Sequence, residues 1–383
     1  MGKRQIHVLI DTTPLLYTIT GIKSYTNGLC EAAQVYNQRP SMPIRFILFP
    51  NLGWLNTTFF KGELPKWKRY LFHSLLFTWK QFILPIVALF YRVDTIICPD
   101  FIAPTFTFGI FKVAVIHDAF LWNNPENYGI HWLKFTLSSL LMGIKNNATV
   151  LTTSFYSKEK IRPYIPSKIP IEILYQYHGV HRHTEPNMLP TLKEFGLTSG
   201  KYILHVGYFD KRKNLATLVK AFEHFDHQIK GYKLVLAGGR SWDHENDDFE
   251  NIKELIAVRG LKHRVLLPGY IDDKTLSQLY AKAEMYVFPS LDEGFGIPIL
   301  EAMRHDTPVI VSDSGALTEI GQNAVISFKT LDHLDLADKM ISMVQNPELR
   351  TQLIEEGKKR VLMFTKNGFI EKLEHIVISH YRK

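Results

Sequence analysis

Glu293 and Glu301 flank a turn made of Gly294, Phe295 and Gly296, and Pro298 follows at the start of an apolar helical pattern, Ile299, Leu300, Ala302 and Met303. Two glycines around one aromatic residue let a backbone turn tightly and come close to a ligand. Proline suits the start of a helix, where its missing N–H costs nothing. Met285 to Phe288, just upstream, is a short apolar and aromatic run that reads as a buried strand. Strand, glycine turn and helix start together aim free N–H groups and the positive dipole end at one point, which suits a phosphate. A carboxylate in the first helical turn complements the dipole anyway, so Glu301 has an ordinary explanation. Glu293, beside two glycines, is harder to explain by packing.

A second charged group follows the apolar run Tyr202–Val206 and Gly207: Asp210, Lys211, Arg212, Lys213 and Asn214. Arginine offers a bidentate fork and lysine a compact point charge, both suited to phosphate oxygens. A charge run is otherwise an ordinary solvated face. His117 and Asp118 close a third apolar run, Lys112 to Ile116. The C-terminal end of a parallel strand points into the crevice where such sheets bind ligands. The pairs Asp247-Asp248 and Asp272-Asp273 suggest a metal at first sight, but helix capping and loop acidity explain them.

These groups need a scaffold, and the chain alternates strand and helix patterns from end to end. Val8–Ile10 reads as a strand stopped by Asp11, and Gly21 opens a helix with Tyr25, Leu29 and Ala33. Further strands are expected at Arg45–Phe49, Thr95–Cys98, Ala148–Thr152 before Ser154, and Ile171–Tyr175. Residues 181–200, with two prolines and mixed polar composition, read as a linker. A second series runs through Tyr202–Val206, Lys233–Ala237 with Gly238 and Gly239, Val265–Gly269 and Val309–Val311, and ends in a helical tail, Leu349–Arg382. This is the pattern of α/β, doubly wound domains. At 383 residues the chain is long for one core, so two domains are expected.

One segment stands apart. Phe59 to Tyr91 is rich in aromatics and leucine and carries Lys61, Lys66, Lys68, Arg69 and Lys80. Phe72, Leu75, Leu76, Trp79, Phe82, Ile83 and Ile86 share one helical face. His73, Lys80, Gln81 and Pro85 interrupt it, against a membrane span. The expectation is a helix packed in the core; the competing one is a membrane-surface helix with basic anchors.

Apolar residues at 46% and charged residues at 21% are ordinary for a globular protein. A net charge of +8 favours an anionic partner, though a mildly basic surface can exist without one. Nucleic acid is not expected, because the basic residues fall into no binding motif. Cys30 and Cys98 sit among apolar neighbours and read as buried thiols. The apolar run Ile6–Ile10 is too short for a signal peptide, and Ile6 stands where a myristoylation signal needs Ser or Thr, so a cytoplasmic protein is expected.

Glu293-Gly-Phe-Gly-x-Pro-x-x-Glu301-Ala-Met, followed by Pro308-Val309-Ile310 and Ser312, resembles the donor-site signature of the family 4 retaining glycosyltransferases. The resemblance implies the GT-B architecture, two Rossmann-like doubly wound domains facing across a cleft. It implies an N-terminal acceptor domain, residues 1–182, with a last helix, 366–383, crossing back onto it. Residues 183–365 would form the nucleotide-sugar domain. Glu293 would hold hydroxyls of the transferred sugar and Glu301 the ribose, with Gly294, Phe295, Gly296 and Ile297 against sugar and diphosphate. Gly-x-x-x-x-Arg212-Lys213-Asn214 resembles the family's diphosphate clamp, and Gly269-Tyr270 holds the position that receives the base. On the acceptor side, Thr20-Gly21-Ile22 resembles the first glycine loop, and Ile116-His117-Asp118 the motif whose His approaches the donor sugar. Asp118 is expected to point away. Two departures stand out: His178 where most relatives carry Asn, and Tyr208 where some carry Arg.

Trp79-Lys80-Gln81 with Leu84-Pro85 resembles an internal helix of members that build bacterial surface polysaccharides. The expected reaction is transfer of a hexose, mannose-like, to a glycan or lipid-linked glycan, with neither metal nor cofactor. Attack from the face the leaving diphosphate occupies, with that phosphate taking the acceptor's proton, is implied by the family. A peripheral contact with anionic membrane at the inner face would follow from a lipid-linked acceptor. Rival classes are a nucleotide-sugar 2-epimerase of the same architecture and a silent binding module; the latter should have lost Glu293 or His117, and both are present.

Overall fold

The computed structural model describes residues 4–18, 21–54, 66–177, 189–241 and 246–382. Thr20, Lys61, His178 and residues 181–188 of the expected linker lie outside the described residues, and only the backbone is described for Lys66 to Tyr70. The chain divides into two units, Met1–Gly179 with Phe364–Lys383, and Val180–Met363.

The first unit carries a six-stranded parallel sheet of β1 (Ile6–Asp11), β2 (Ile44–Phe49), β3 (Thr95–Cys98), β4 (Phe111–Val115), β5 (Ala148–Thr152) and β6 (Ile171–Ile173). Its order is β2-β1-β3-β4-β5-β6. Alternate residues serve opposite faces. Val8, Ile10, Ile97, Val113 and Leu151 pack with Tyr25, Leu29, Ala33 and Tyr36 of the helix Gly21–Asn37. Leu9, Ile96, Cys98, Ala114 and Val150 pack on the other side with Leu84, Ala88, Leu140, Ile144 and Ile161. Burial on both faces is why these strands read as continuous apolar runs.

The helix Lys366–Tyr381 belongs to this unit. Phe369, Ile370, Leu373, Ile376 and Val377 fall on one stripe and join the first of those two cores. Tyr36 donates to Glu374 at 2.7 Å, and Arg39 donates to Asn367 at 2.8 Å, fixing the helix along Gly21–Asn37.

The segment before β3 corrects the core-packed expectation. It forms a helix, Lys66–Thr78, a π turn, Trp79–Ile83, and a further helix, Leu84–Phe90. Leu75, Phe82 and Ile86, assigned to the core by periodicity, are 59%, 62% and 61% exposed, and Leu71 and Phe90 join them at the surface. Leu84, Pro85, Ala88 and the charged Lys80 face inward instead. Two carboxylates behind the helix draw Lys80 in. No described helix is long and apolar enough to cross a membrane.

The second unit repeats the plan. Its strands are β7 (Tyr202–Val206), β8 (Lys233–Ala237), β9 (Val265–Gly269), β10 (Met285–Phe288), β11 (Val309–Ser312) and β12 (Val325–Phe328), all parallel, in the order β12-β11-β10-β7-β8-β9. Phe222, Phe225, Leu234, Leu236, Val287 and Ile310 lie in its main core with Leu336 and Met340 of the helix His333–Gln345.

Candidate functional site

In the second sheet β7 and β10 are neighbours, and the chain leaves them in opposite directions, toward β8 and toward β11. The crevice outside the carboxyl ends of two such strands is where open α/β sheets take ligands. The loops 207–214 and 289–296 arise from these two ends and are laced together. The Leu291 amide donates to the Arg212 carbonyl at 2.8 Å, and the Asn214 side chain donates to the Pro289 carbonyl at 3.1 Å. Asp210 organises the turn Lys211–Lys213 by accepting from the Arg212 amide at 2.9 Å.

Arg212 and Lys213 converge on a single oxygen. Glu293 Oε1 lies 2.6 Å from Arg212 Nη1 and 2.6 Å from Lys213 Nζ. Burial would raise the Glu293 carboxyl, but the Arg212 and Lys213 charges and the Lys213 hydrogen bond outweigh it and bring it down to about 2. Lys213 is lowered by burial, against the pull of Glu293. Arg212 also donates to the Asp292 carbonyl at 2.7 Å, so the same guanidinium braces the glycine turn.

Gly296 caps the helix Ile297–Arg304 with φ +102°, a backbone shape that favours glycine, and Pro298 stands in its first turn. The turn after β11 presses on Glu293 from behind. Ala316 N donates to the Glu293 carbonyl at 2.9 Å, and a Cβ at Gly315 would meet Glu293 N at 2.6 Å. The Phe295 ring is buried, which leaves the backbone of this turn as what it can offer a ligand. Ile297 begins the helix, and Glu301, one turn on, accepts from Tyr280 Oη at 3.0 Å. Gly269 ends β9 and accepts from Gly238 N at 2.9 Å, while Tyr270 is largely exposed. The fold thus joins Arg212, Lys213 and Glu293 directly, with Gly294–Ile297 and Glu301 following along one turn and helix. Gly269 and Tyr270 come from the edge strand, two places from β7.

In the first unit the corresponding crevice lies between β1 and β3. Asp11 ends β1 and Asp100 follows β3; Lys80 reaches both, at 2.7 Å each. Tyr17 donates to Asp100 at 2.5 Å and Thr13 Oγ1 to Asp11 at 2.7 Å. Burial alone would lower the Lys80 ammonium, but Asp100 and Asp11 hold it well above its usual range. This buried cluster was not legible as a unit, since its members are far apart in sequence and Lys80 reads as an interruption of an apolar face.

His117, just beyond β4, sets Nε2 2.9 Å from the Pro99 carbonyl and its ring edge-on to Tyr25 at 4.8 Å. A carbonyl accepts, so Nε2 carries the proton and Nδ1 is the acceptor of the neutral ring. Burial lowers its pKa, opposed by the Pro99 hydrogen bond and Asp100. Asp118 accepts from the Phe120 amide at 3.0 Å, a local capping role. Gly21 is the first residue of its helix, with open space where a Cβ would stand.

Asp272 caps the helix Asp273–Lys282 through the Lys274 and Thr275 amides, and Asp247 accepts from the Ser241 amide. Among the described residues no three His, Cys, Asp or Glu side chains gather as a metal site.

Residues 193–360 match the family described as "Glycosyl transferases group 1". The chain is 29% identical over 258 residues to O-antigen chain mannosyltransferase B of Escherichia coli, covering 66% of each. It is 28% identical over 240 residues to O-antigen chain mannosyltransferase RfbU of Salmonella typhimurium, covering 62% of each. These alignments therefore span at most 66% of the curated relatives' own length. Among solved structures, sucrose-phosphate synthase from Thermosynechococcus elongatus superposes with a TM-score of 0.74 at 20% identity, over 99% of this chain and 100% of that one. Anabaena HepE, in complex with UDP, gives 0.71 at 16% identity, over 98% of this chain and 100% of that one. At such identities the likeness establishes the fold class, GT-B with two Rossmann-like domains.

Proposed function

We propose, from the match of residues 193–360 to the group 1 glycosyl transferases, that this chain moves a hexose from a nucleotide diphosphate sugar to a glycan. The relatives named above favour mannose as the sugar and O-antigen-type surface polysaccharide as the setting. The observation that carries the reading is the Arg212–Glu293–Lys213 contact at the switch point of the second sheet, beside a glycine-capped helix start.

The chemistry follows from charge. As the glycosidic bond to phosphate breaks, negative charge develops on the leaving diphosphate. Arg212, Lys213 and the N-terminus of Ile297–Arg304 are positive groups fixed in advance, and fixed positive groups stabilise such charge best where water is excluded. Those groups supply the charge compensation, so the reading calls for neither a divalent metal nor a cofactor. When phosphates take over the two cations, the Glu293 carboxylate is released to accept from sugar hydroxyls. Glu301 would take the ribose, and the backbone at Gly269 and Tyr270 the base.

Retention is part of the proposal. Retaining hydrolases place two carboxylates about 5 Å apart, one as nucleophile. In the first unit Asp118 accepts from the Phe120 amide in a local cap, Asp11 and Asp100 are paired with the buried Lys80, and His117 is the side chain assigned to the sugar, with Gly21 at the acceptor loop. Same-face attack, with the leaving phosphate taking the acceptor's proton, needs no second carboxylate.

The exposed row Leu71, Leu75, Phe82, Ile86 and Phe90 supports a peripheral membrane contact for a lipid-linked acceptor, at the cytoplasmic face. A panel of nucleotide sugars read first by thermal shift, then by product formation with and without glycan acceptor, tests the whole reading. An isomerised sugar released without acceptor would overturn it in favour of epimerisation.

A further inference from the structure

Behind the clamp, on β7, His205 is fully buried. Its Nδ1 lies 3.0 Å from the Val287 carbonyl on β10. A carbonyl only accepts, so Nδ1 carries the proton and Nε2 of the neutral ring is an acceptor. Nε2 is buried and has no hydrogen-bond partner among the described residues. Burial keeps the ring neutral, pushing its pKa down to about 4; the Val287 hydrogen bond and Glu293 oppose this, and the Lys213 charge adds to it.

The direction of Nε2 is informative. It stands 3.2 Å from the point a Cβ on Gly207 would occupy, and Lys213 Cε stands 3.7 Å from the same point. The bare glycine therefore leaves the imidazole acceptor and the end of the lysine facing one small space. The Lys213 ammonium lies 4.8 Å over the Phe288 ring, against which His205 also packs at 6.0 Å. An unmet buried acceptor destabilises the fold, and an apolar side chain on the same strand would avoid that cost. Lys213 is a donor with three N–H bonds, one of them engaged by Glu293 at 2.6 Å.

Resting on the diphosphate clamp proposed above, we propose that His205 is a positioning residue for Lys213. Its Nε2 accepts from the ammonium once Glu293 has turned to the sugar, and so keeps the remaining N–H bonds aimed at the leaving phosphates. The role requires a side chain that donates to Val287 at one end and accepts from Lys213 at the other. Glutamine can do both; phenylalanine fills similar space and can do neither.

The test is a double-mutant cycle read by calorimetry with UDP and GDP. His205→Phe should weaken binding about three- to tenfold when Lys213 is present and change nothing in a Lys213→Ala background. His205→Gln should restore most of the loss. Equal weakening in both backgrounds, or none in either, overturns the His205 assignment alone. If the parent binds neither nucleotide, or Lys213→Ala does not weaken binding, the clamp reading falls and this proposal with it. Should His205→Phe fail to fold, Gly207→Ala carries the same cycle, because its methyl would stand against Nε2 and the lysine. It too should weaken binding only where Lys213 is present, and equal or absent effects would overturn the assignment.

Discussion

Lys213 and Glu293, eighty residues apart in sequence, share a hydrogen bond of 2.6 Å, and Arg212 meets the same carboxylate oxygen. In the proposed cycle this pair is an exchangeable contact. Lys213→Ala should weaken nucleoside diphosphate binding by about 1.5–3 kcal/mol, the value of a hydrogen bond to a charged group. Calorimetry with UDP and GDP decides; equal affinity in variant and parent rejects the clamp.

Glu293→Gln separates sugar from nucleotide. Turnover should fall strongly, while diphosphate affinity stays level or rises, because the carboxylate no longer competes for Lys213 and Arg212. Steady-state kinetics beside calorimetry would show it. A joint fall in both would make Glu293 a structural residue.

The Glu293 carboxyl sits at about 2 in the folded chain, below its ordinary value of 4.5. A lowered acid stabilises the fold above its unfolded pKa and loses that contribution as pH falls through the folded one. Its share is thus complete above about pH 4.5 and is lost toward pH 2. Lys213, lowered by burial, acts in the same sense in a higher window: stability rises as pH climbs from its lowered pKa toward 10.5. Urea unfolding between pH 2 and 5 should show a shallower acid limb in Glu293→Gln than in the parent.

Lys80 offers a test in the first unit. Lys80→Met leaves Asp11 and Asp100 as buried, uncompensated carboxylates, and should cost about 3–5 kcal/mol. Adding Asp100→Asn should restore part of it. If Lys80→Met unfolds at the parent's urea midpoint, the cluster is not an ion pair in solution.

The exposed row should be separable from stability. Leu75→Ser, Phe82→Ser and Ile86→Ser together should leave the unfolding midpoint near the parent's, since these side chains are at the surface. Sedimentation with anionic vesicles at low salt should lose the triple variant and retain the parent. A parent that stays in solution removes the membrane contact.

Much of this is legible in the sequence. The glycine turn, the Arg-Lys pair and the apolar strands are local signals, each carried by residues close in sequence. The orientation of the Leu75–Ile86 face was not. Helical periodicity records which residues share a face, but Asp11 and Asp100, distant in sequence, decide which face turns inward. The π turn Trp79–Ile83 also shifts the register that an ideal helix would keep. His205 escaped for a related reason: on a buried strand its letter looks like core, and only the neighbouring carbonyl and the bare Gly207 show where Nε2 points.

The helix Lys366–Tyr381 imposes an order on the making of this protein. Phe369, Ile370, Leu373, Ile376 and Val377 complete a core begun by Val8 and Ile10, so a segment made only after the whole second unit is needed by the first sheet. At ~5–20 residues per second, the nascent first sheet waits on the order of ten seconds or more for that layer. The second unit, contiguous in sequence, has no such delay. During synthesis, the unit made first is therefore the one finished last, and its uncovered apolar face is the surface a ribosome-associated chaperone would meet.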